Sequence, residues 1–426
     1  MILWILFGTF FLLLLLNIPI AVSLGIATVL SILFSGATTI DFFITNLVTS
    51  IDSFPLMAVP FFILAGELMS KGGISDRLFR FANSIVGYQT GGFAVATIVT
   101  CMFFASISGS GPATVAAIGS IMIPAMVNRG YDLKFATATV AAAGSLGVII
   151  PPSIDMIMFG VSTNTSIGDM FIAGILPGIF IGLCLIVWAV IYSNIKGYKG
   201  AEGKISIKNI LKEGYEAKWA LLIPVIILGG IYGGIFTPTE AAVIAVVVGL
   251  IIGAFFYKEL KISSIPSVLV KAAITSATIF FILTTATTFG KILTIEQVPQ
   301  KMAVSLSNIS ENPLVILLLI NVMLLIVGTF METVAAIIIL APIFLPIAVG
   351  LGYDPVHFGI MMIVNLAIGF ITPPLGVNLF IGSGLSGLSI VTLSKAILPY
   401  FIAMIFSLFI VIVWPDLSLF LIDLKN

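Results

Sequence analysis

The chain repeats itself, and the repeat carries glycine and proline at corresponding positions. Thr114–Ile118 reads Thr-Val-Ala-Ala-Ile and returns as Thr333–Ile337, a shift of 333 − 114 = 219 residues. Further along, Pro151–Pro152 corresponds to Pro373–Pro374, and the shift is 373 − 151 = 222. A duplication of this kind restricts the fold to two related halves with irregular backbone at matching places, a pattern typical of secondary transporters.

Composition indicates that both halves lie in a membrane. The 426 residues are 60% hydrophobic and 8% charged, with a mean hydropathy of +1.26. Apolar runs of about 20 residues, enough to cross the hydrocarbon core of a bilayer, recur along the chain. We therefore predict an all-α polytopic membrane protein. The formal net charge of zero gives no indication of a nucleic-acid partner.

The longest polar interval lies between the two halves. The stretch 196–218 carries six lysines, which the positive-inside rule assigns to the cytoplasm. We predict that 196–218 is a cytoplasmic linker with a short amphipathic surface helix near 205–215.

Two apolar stretches are too long for one crossing and contain no charged loop that would make them two. At about 37 residues each, 91–127 and 313–350 are predicted to be re-entrant helical hairpins whose tips lie within the membrane. A broken helix is predicted after each hairpin, over 132–162 and 355–385, since both contain a proline pair.

The first predicted tip, Ser106–Thr114, reads Ser-Ile-Ser-Gly-Ser-Gly-Pro-Ala-Thr. Gly109, Gly111 and Pro112 interrupt regular helix, so backbone carbonyls lose their i→i+4 donors. Irregular backbone at membrane depth is tolerated where it lines a cavity, and carbonyl and hydroxyl oxygens suit a hard cation such as Na⁺. The alternative is a helix-packing motif of small residues.

Each predicted break pairs a glycine with two prolines. Gly144–Ser153 reads Gly-Ser-Leu-Gly-Val-Ile-Ile-Pro-Pro-Ser, and Leu366–Leu375 is its counterpart. Gly147 and Gly369 each precede the proline pair by four residues and offer a free carbonyl, because proline lacks the donor N–H. The half-helix after each break presents its positive N-terminus, which favours an anion.

Two carboxylates lie near these motifs. Glu332 belongs to Gly328–Ala335, the second predicted tip, and Asp155 follows the first proline pair. A charged side chain at the membrane centre costs about 2.5–3.5 kcal/mol on insertion scales, so each residue either lines a cavity or reaches an interface.

The chain resembles the large, DctM-like membrane subunit of tripartite ATP-independent periplasmic (TRAP) transporters. The resemblance spans essentially the whole chain and is carried by Asn17–Ala21, Phe62–Glu67, Ser108–Thr114, Val148–Ser153, Gly233–Ala241 and Ile371–Gly376. It implies two inverted repeats and an elevator-type Na⁺ symporter in the bacterial inner membrane. It also implies a separate small DctQ-like membrane subunit and a periplasmic substrate-binding protein. The expected substrates are organic acids such as dicarboxylates, keto acids or sialic acid.

The resemblance also divides the chain into a scaffold and a moving transport domain. Scaffold helices are expected over 1–90 and 219–312, and the transport domain over 91–195 and 313–426.

The resemblance further implies sites for two or more Na⁺ ions, with no organic cofactor. The first Na⁺ site is expected at the first tip and break, and the second at their counterparts. The candidate ligands are Ser106, Ser108, Ser110, Gly111, Gly144 and Gly147 for the first, and Gly328, Thr333, Gly369 and Thr372 for the second. The candidate substrate-binding residues are Ser108, Ser153, Asp155, Glu332 and Asn378.

Other functions remain open at this stage. A stand-alone divalent-anion/Na⁺ symporter uses similar broken helices without a binding protein. An intramembrane enzyme would need paired acids, a histidine-based site or a metal site, and the chain has one histidine. We expect that the protein is not an enzyme. A passive channel fits duplicated tips less well than alternating access does.

Overall fold

The regular structure is helical. The computed structural model describes residues 2–35, 38–200, 206–373 and 376–425. Within these residues it contains twenty α-helices. Eight helical segments of the described residues are long and apolar enough to cross a membrane. The predicted all-α polytopic class is therefore confirmed.

The first half contains ten helices. Their bounds are α1 Ile2–Leu15, α2 Ile20–Ser35, α3 Ile40–Thr49, α4 Ala58–Lys71, α5 Ile74–Val86, α6 Gly92–Ser108, α7 Gly111–Asn128, α8 Leu133–Gly144, α9 Ile154–Thr163 and α10 Ile167–Lys196. The second half continues with α11 Ile207–Tyr232, α12 Pro238–Ile251, α13 Ile265–Ile295, α14 Val298–Ser307, α15 Pro313–Gly328, α16 Thr333–Gly350, α17 Pro355–Gly369, α18 Val377–Ser386, α19 Ile390–Val413 and α20 Asp416–Asp423.

Both predicted hairpins and both predicted breaks are present. Helices α6 and α7 form the first hairpin, and α15 and α16 form the second. The first break separates α8 from α9 by a 3₁₀ turn, Ser145–Val148, and an irregular segment. The second separates α17 from α18; its residues Pro374 and Leu375 lie outside the described residues, so the second proline pair is only partly described.

The core lies around the broken helices. Every residue of α8 from Phe135 to Gly144 is buried, as is every residue of α17 from His357 to Gly369. A helix that is apolar all round is stable when other helices surround it. Tyr400 of α19 completes this core, and its hydroxyl lies 2.7 Å from Thr139 Oγ1 of α8.

The first hairpin begins and ends at one end of the molecule. Before α6, the Gly91 N–H donates to the Tyr198 carbonyl beyond the end of α10, and before α8 the Asp132 N–H donates to Tyr198 Oη at 3.1 Å. At the same end, Arg80 of α5 pairs with Glu216 near the start of α11 at 3.2 Å. We call this the basic end.

The second hairpin begins at the opposite end. There, Tyr232 at the end of α11 donates its hydroxyl to the Phe171 carbonyl of α10 at 3.2 Å. Lys425, after α20, lies 3.5 Å from Asp169 of α10. Helix α13 runs from the basic end to this end and leads into α14 and α15. The two hairpins therefore enter from opposite sides, as inverted repeats require.

Helix α12 begins at a capping box. Thr237 caps α12: its backbone N–H donates to Glu240 Oε2 at 2.8 Å, and the Glu240 N–H donates to Thr237 Oγ1 at 3.3 Å. This reciprocal capping box, with Pro238 in the first turn, follows the sequence pattern closely.

The predicted linker differs in one respect. Helix α10 ends at Lys196, and α11 runs unbroken from Ile207 to Tyr232. The residues predicted to form a surface helix near 205–215 are helical from Ile207 onward, and they form the first turns of α11. The lysines and glutamates before the apolar run are good helix formers, and no proline interrupts this stretch.

Candidate functional site

The first tip is a sharp turn held by hydroxyl groups. Gly109 has a left-handed φ of 60°, which glycine adopts without steric cost and which ends α6. Ser110 caps α7, and its carbonyl accepts from the Thr114 N–H at 3.1 Å and from Thr114 Oγ1 at 2.8 Å. Ser108 Oγ lies 2.9 Å from Thr114 Oγ1. Hydroxyl and carbonyl oxygens are thus concentrated at the tip.

The first tip packs on the first break. A Cβ placed on Gly147 would lie 2.5 Å from the Ser110 carbonyl oxygen and 2.8 Å from Thr114 Oγ1. A Cβ on Gly111 would lie 3.3 Å from the Gly144 carbonyl oxygen. Only glycine allows the tip and the break to approach this closely.

The candidate ligands of the first predicted Na⁺ site therefore lie close together, with one exception. Ser106 turns its hydroxyl back to the Phe103 carbonyl of its own helix at 2.7 Å. Thr114, which the predicted set omitted, lies at the centre of the cluster. Its equivalence to Thr333 in the repeat was the available signal, because Thr333 was already a candidate.

The second tip and break pair in the same way. A Cβ on Gly369, the last residue of α17, would overlap the carbonyl of Gly328, the last residue of α15. Glu332 caps α16, and its carboxylate accepts from the Ala335 N–H at 3.3 Å. Thr333 is buried directly after it, while Thr372 donates its hydroxyl to the Ile368 carbonyl at 2.7 Å.

The two tips meet at a small cavity of about 80 Å³. Its walls include Gly109 and Ser110 of the first tip, Glu332 and Thr333 of the second, and Asp155. Val148 and Phe370 of the two breaks, and Ile279 of α13, complete much of the lining. We call it the central cavity.

The central cavity combines opposite electrostatic features. Helices α7, α9 and α16 all begin at its wall, so three positive helix ends converge there. Asp155 is 2% exposed, and its Oδ2 has no hydrogen-bond partner among the described residues. Glu332 is partly buried. The arrangement can hold an anion at the helix ends together with cations near the carboxylates.

Two substrate candidates lie behind the cavity wall. Ser153 is fully buried, caps α9 and donates its hydroxyl to the Val148 carbonyl at 2.6 Å. Asn378 of α18 donates its amide to the Ala141 carbonyl at 3.0 Å and to Ser145 Oγ at 3.2 Å. Asn378 thus ties the second half to the first break. A substrate contact for either residue stays a prediction.

The Asn378 contacts lead to a testable expectation. Asn378→Ala leaves the buried Ala141 carbonyl and Ser145 hydroxyl without this partner, which costs about 1–3 kcal/mol of stability. Thermal unfolding of the purified protein should show a clear destabilisation, whereas Asn308→Ala at an exposed position should not. Equal stability of the two variants would show that this link between the halves contributes little.

Inverted repeats, broken helices and two tips around a cavity that contains two carboxyl groups define a helical membrane transporter. The chain belongs to the family described as the tripartite ATP-independent periplasmic transporter, DctM component, whose family model matches residues 7–417.

Several relatives that are named for their substrates align with nearly all of this chain. The isethionate TRAP transporter permease protein DctMQ of Oleidesulfovibrio alaskensis is 52% identical over 98% of the chain, which spans 66% of that protein's length. The C4-dicarboxylate TRAP transporter large permease protein DctM of Pseudomonas aeruginosa is 44% identical, with 93% of each chain covered. The sialic acid TRAP transporter large permease protein SiaM of Vibrio cholerae is 38% identical, with 96% of this chain and 95% of SiaM covered.

A solved structure shares the fold. The crystal structure of the Alcanivorax borkumensis YdaH transporter, described as having an unusual topology, superposes with a TM-score of 0.65. It covers 88% of this chain and 89% of its own, at 18% sequence identity. The likeness concerns architecture alone.

Proposed function

We propose that the protein is a Na⁺-coupled importer of a small organic anion that carries a carboxylate or sulfonate group. The observation that carries this proposal is the close pairing of each hairpin tip with a helix break. Ser110 and Thr114 lie against Gly147, and Gly328 lies against Gly369. Each pair brings carbonyl or hydroxyl oxygens close together. A cation bound there would exchange its water ligands for these protein oxygens.

The oxygen ligands available at the two tips suit Na⁺. The oxygens of Ser108, Ser110 and Thr114 are neutral hydroxyls and carbonyls, which suit a hard monovalent cation. At the second pair, the Gly328 carbonyl and Thr333 supply the same oxygen types. Two matching sets support two or more coupling ions.

The proposed substrate would lie beside the first tip. The central cavity alone is too small for a sialic acid, but Ser110, Ile154 and Ile279 also line a neighbouring cavity of about 360 Å³. The anionic group would face the convergent helix ends, and the rest of the molecule would extend into the larger space. Isethionate, C4-dicarboxylates and sialic acid, for which the relatives are named, all carry such a group.

The electrostatics suggest how coupling arises. Asp155 and Glu332 repel an anion that enters the central cavity without a cation. Bound Na⁺ offsets these charges and orders the tips, so the substrate completes a balanced site. The transport domain then moves across the bilayer as an elevator, and incomplete loading leaves unpaired polar groups that oppose the movement.

The remaining parts of the proposal follow from the family and from the charge distribution. The basic end would face the cytoplasm of a bacterial inner membrane, in accord with the positive-inside rule. A small DctQ-like membrane subunit and a periplasmic binding protein would complete the system. The binding protein would deliver the anion to the opposite end.

Uptake by proteoliposomes tests this function. The protein is reconstituted with its small subunit, and the binding protein is supplied outside with labelled isethionate or succinate. Uptake should require external Na⁺ and should cease when choline replaces it. Equal uptake in choline would overturn Na⁺ coupling. Equal uptake without the binding protein would instead favour the stand-alone symporter.

A further inference from the structure

The larger cavity contains charged groups that the proposed coupling does not use. It lies between α4, α7 and α13 and has a volume of about 360 Å³. Its inner part is lined by Ser108 and Ser110 of the first tip, and its outer part by Glu67, Lys71 and Lys271. We call it the vestibule. It links the first tip to the basic end.

An ion pair crosses the vestibule between two helices of different repeats. Lys271 Nζ of α13 lies 2.7 Å from Glu67 Oε1 of α4. The Glu67 side chain is 16% exposed, whereas that of Lys271 is 65% exposed. The ammonium group therefore keeps donors free for a second partner. Lys71 lies on the same wall, one helical turn after Glu67, and forms no ion pair among the described residues.

The duplication did not produce this pair at the other end. Under the shift of 219 residues, Lys271 corresponds to Asp52 (271 − 219 = 52) and Glu67 to Ala286 (67 + 219 = 286). The Glu67–Lys271 ion pair is thus specific to one side of the transporter. An ion pair on one side only favours a role in one half of the transport cycle.

We propose that the vestibule contains a transient anion site, in which Lys271 and Lys71 bind the carboxylate or sulfonate group of the substrate as it leaves. This inference rests on the proposed function. Glu67 competes with the substrate for Lys271 and keeps the site weak. A site on an exit path must attract its ligand without retaining it, and a built-in competing carboxylate achieves this.

The test measures how anion inside the vesicles inhibits uptake. Binding protein outside selects the transporters of one orientation, while unlabelled isethionate or succinate inside has access to the vestibule. The measured quantity is the internal anion concentration that halves the initial uptake rate. Lys271→Gln should raise this half-inhibiting concentration about two- to fivefold, which is the range expected for a solvent-screened ion pair. Glu67→Gln should lower the same concentration by a similar factor.

Two further variants separate charge from folding. Lys271→Arg retains the charge and should behave like the wild type. Lys261→Gln removes an exposed lysine at the same end, outside the vestibule lining, and should also leave inhibition unchanged. If Lys271→Arg changes inhibition as much as Lys271→Gln, charge is not the cause and the vestibule proposal fails.

The outcomes also separate the two proposals. A wild-type transporter without Na⁺-dependent uptake would overturn the proposed function itself. Normal wild-type uptake, with Lys271→Gln and Glu67→Gln both keeping the wild-type inhibition, would overturn the vestibule site alone. Raising the internal KCl concentration should reduce the differences between variants, because salt screens exposed charges.

Discussion

Gly369→Ala is expected to reduce Na⁺-driven uptake about five- to 150-fold while the protein still inserts into the membrane. The added methyl group would overlap the Gly328 carbonyl, where the second tip packs on the second break. Overpacking of this kind costs about 1–3 kcal/mol, and each 1.4 kcal/mol corresponds to about a tenfold change in an equilibrium. Initial uptake rates, normalised to the amount of reconstituted protein, measure the effect.

Gly384→Ala provides the matched control. Gly384 lies in α18 of the same half, and a Cβ there meets no neighbouring heavy atom of the described residues within 4 Å. This variant should transport like the wild type. Wild-type uptake by Gly369→Ala would show that the second tip and break need not approach so closely, and the second cation site would lose its geometric basis.

Asp155→Asn is expected to raise the Na⁺ concentration for half-maximal uptake about tenfold or more. Asp155 is buried at the central cavity with one carboxyl oxygen unpartnered among the described residues, so that oxygen is available to a cation. The amide is nearly isosteric but cannot become negatively charged beside the cation, and about 1.4 kcal/mol of lost attraction gives a tenfold weaker site. Uptake measured across a range of Na⁺ concentrations gives the value directly.

Asp169→Asn tests whether any lost carboxylate has this effect. Asp169 lies at the opposite end and contacts Lys425 at 3.5 Å. Its removal should leave the Na⁺ dependence unchanged. If Asp155→Asn also keeps the wild-type Na⁺ dependence, the carboxylate is not part of cation binding and acts in packing or helix capping alone.

The backbone of the site could be predicted from sequence because glycine and proline act locally. Gly109 and Pro112 determine where the first hairpin turns, and the Pro151–Pro152 pair determines where the first helix breaks. The duplication then assigned the same features to the second half. Local rules of this kind do not depend on which residues lie far away in the chain.

Side-chain roles were harder to predict because they depend on distant neighbours. Ser153 looks like a ligand in sequence but caps α9, and Asn378 bonds to residues of the other repeat. The Glu67–Lys271 pair joins residues of different repeats and leaves no local pattern. Serine and threonine hydroxyls are especially ambiguous, since bonding within the helix competes with ligand binding.

The most direct measurement of the central claim is the number of Na⁺ ions that enter with each substrate molecule. Proteoliposomes with the complete system are given radioactive Na⁺ and labelled isethionate or succinate, and both fluxes are counted in the same vesicles. Two paired tips and breaks predict two or more Na⁺ ions for every anion transported. Anion uptake without an accompanying Na⁺ flux would contradict the account.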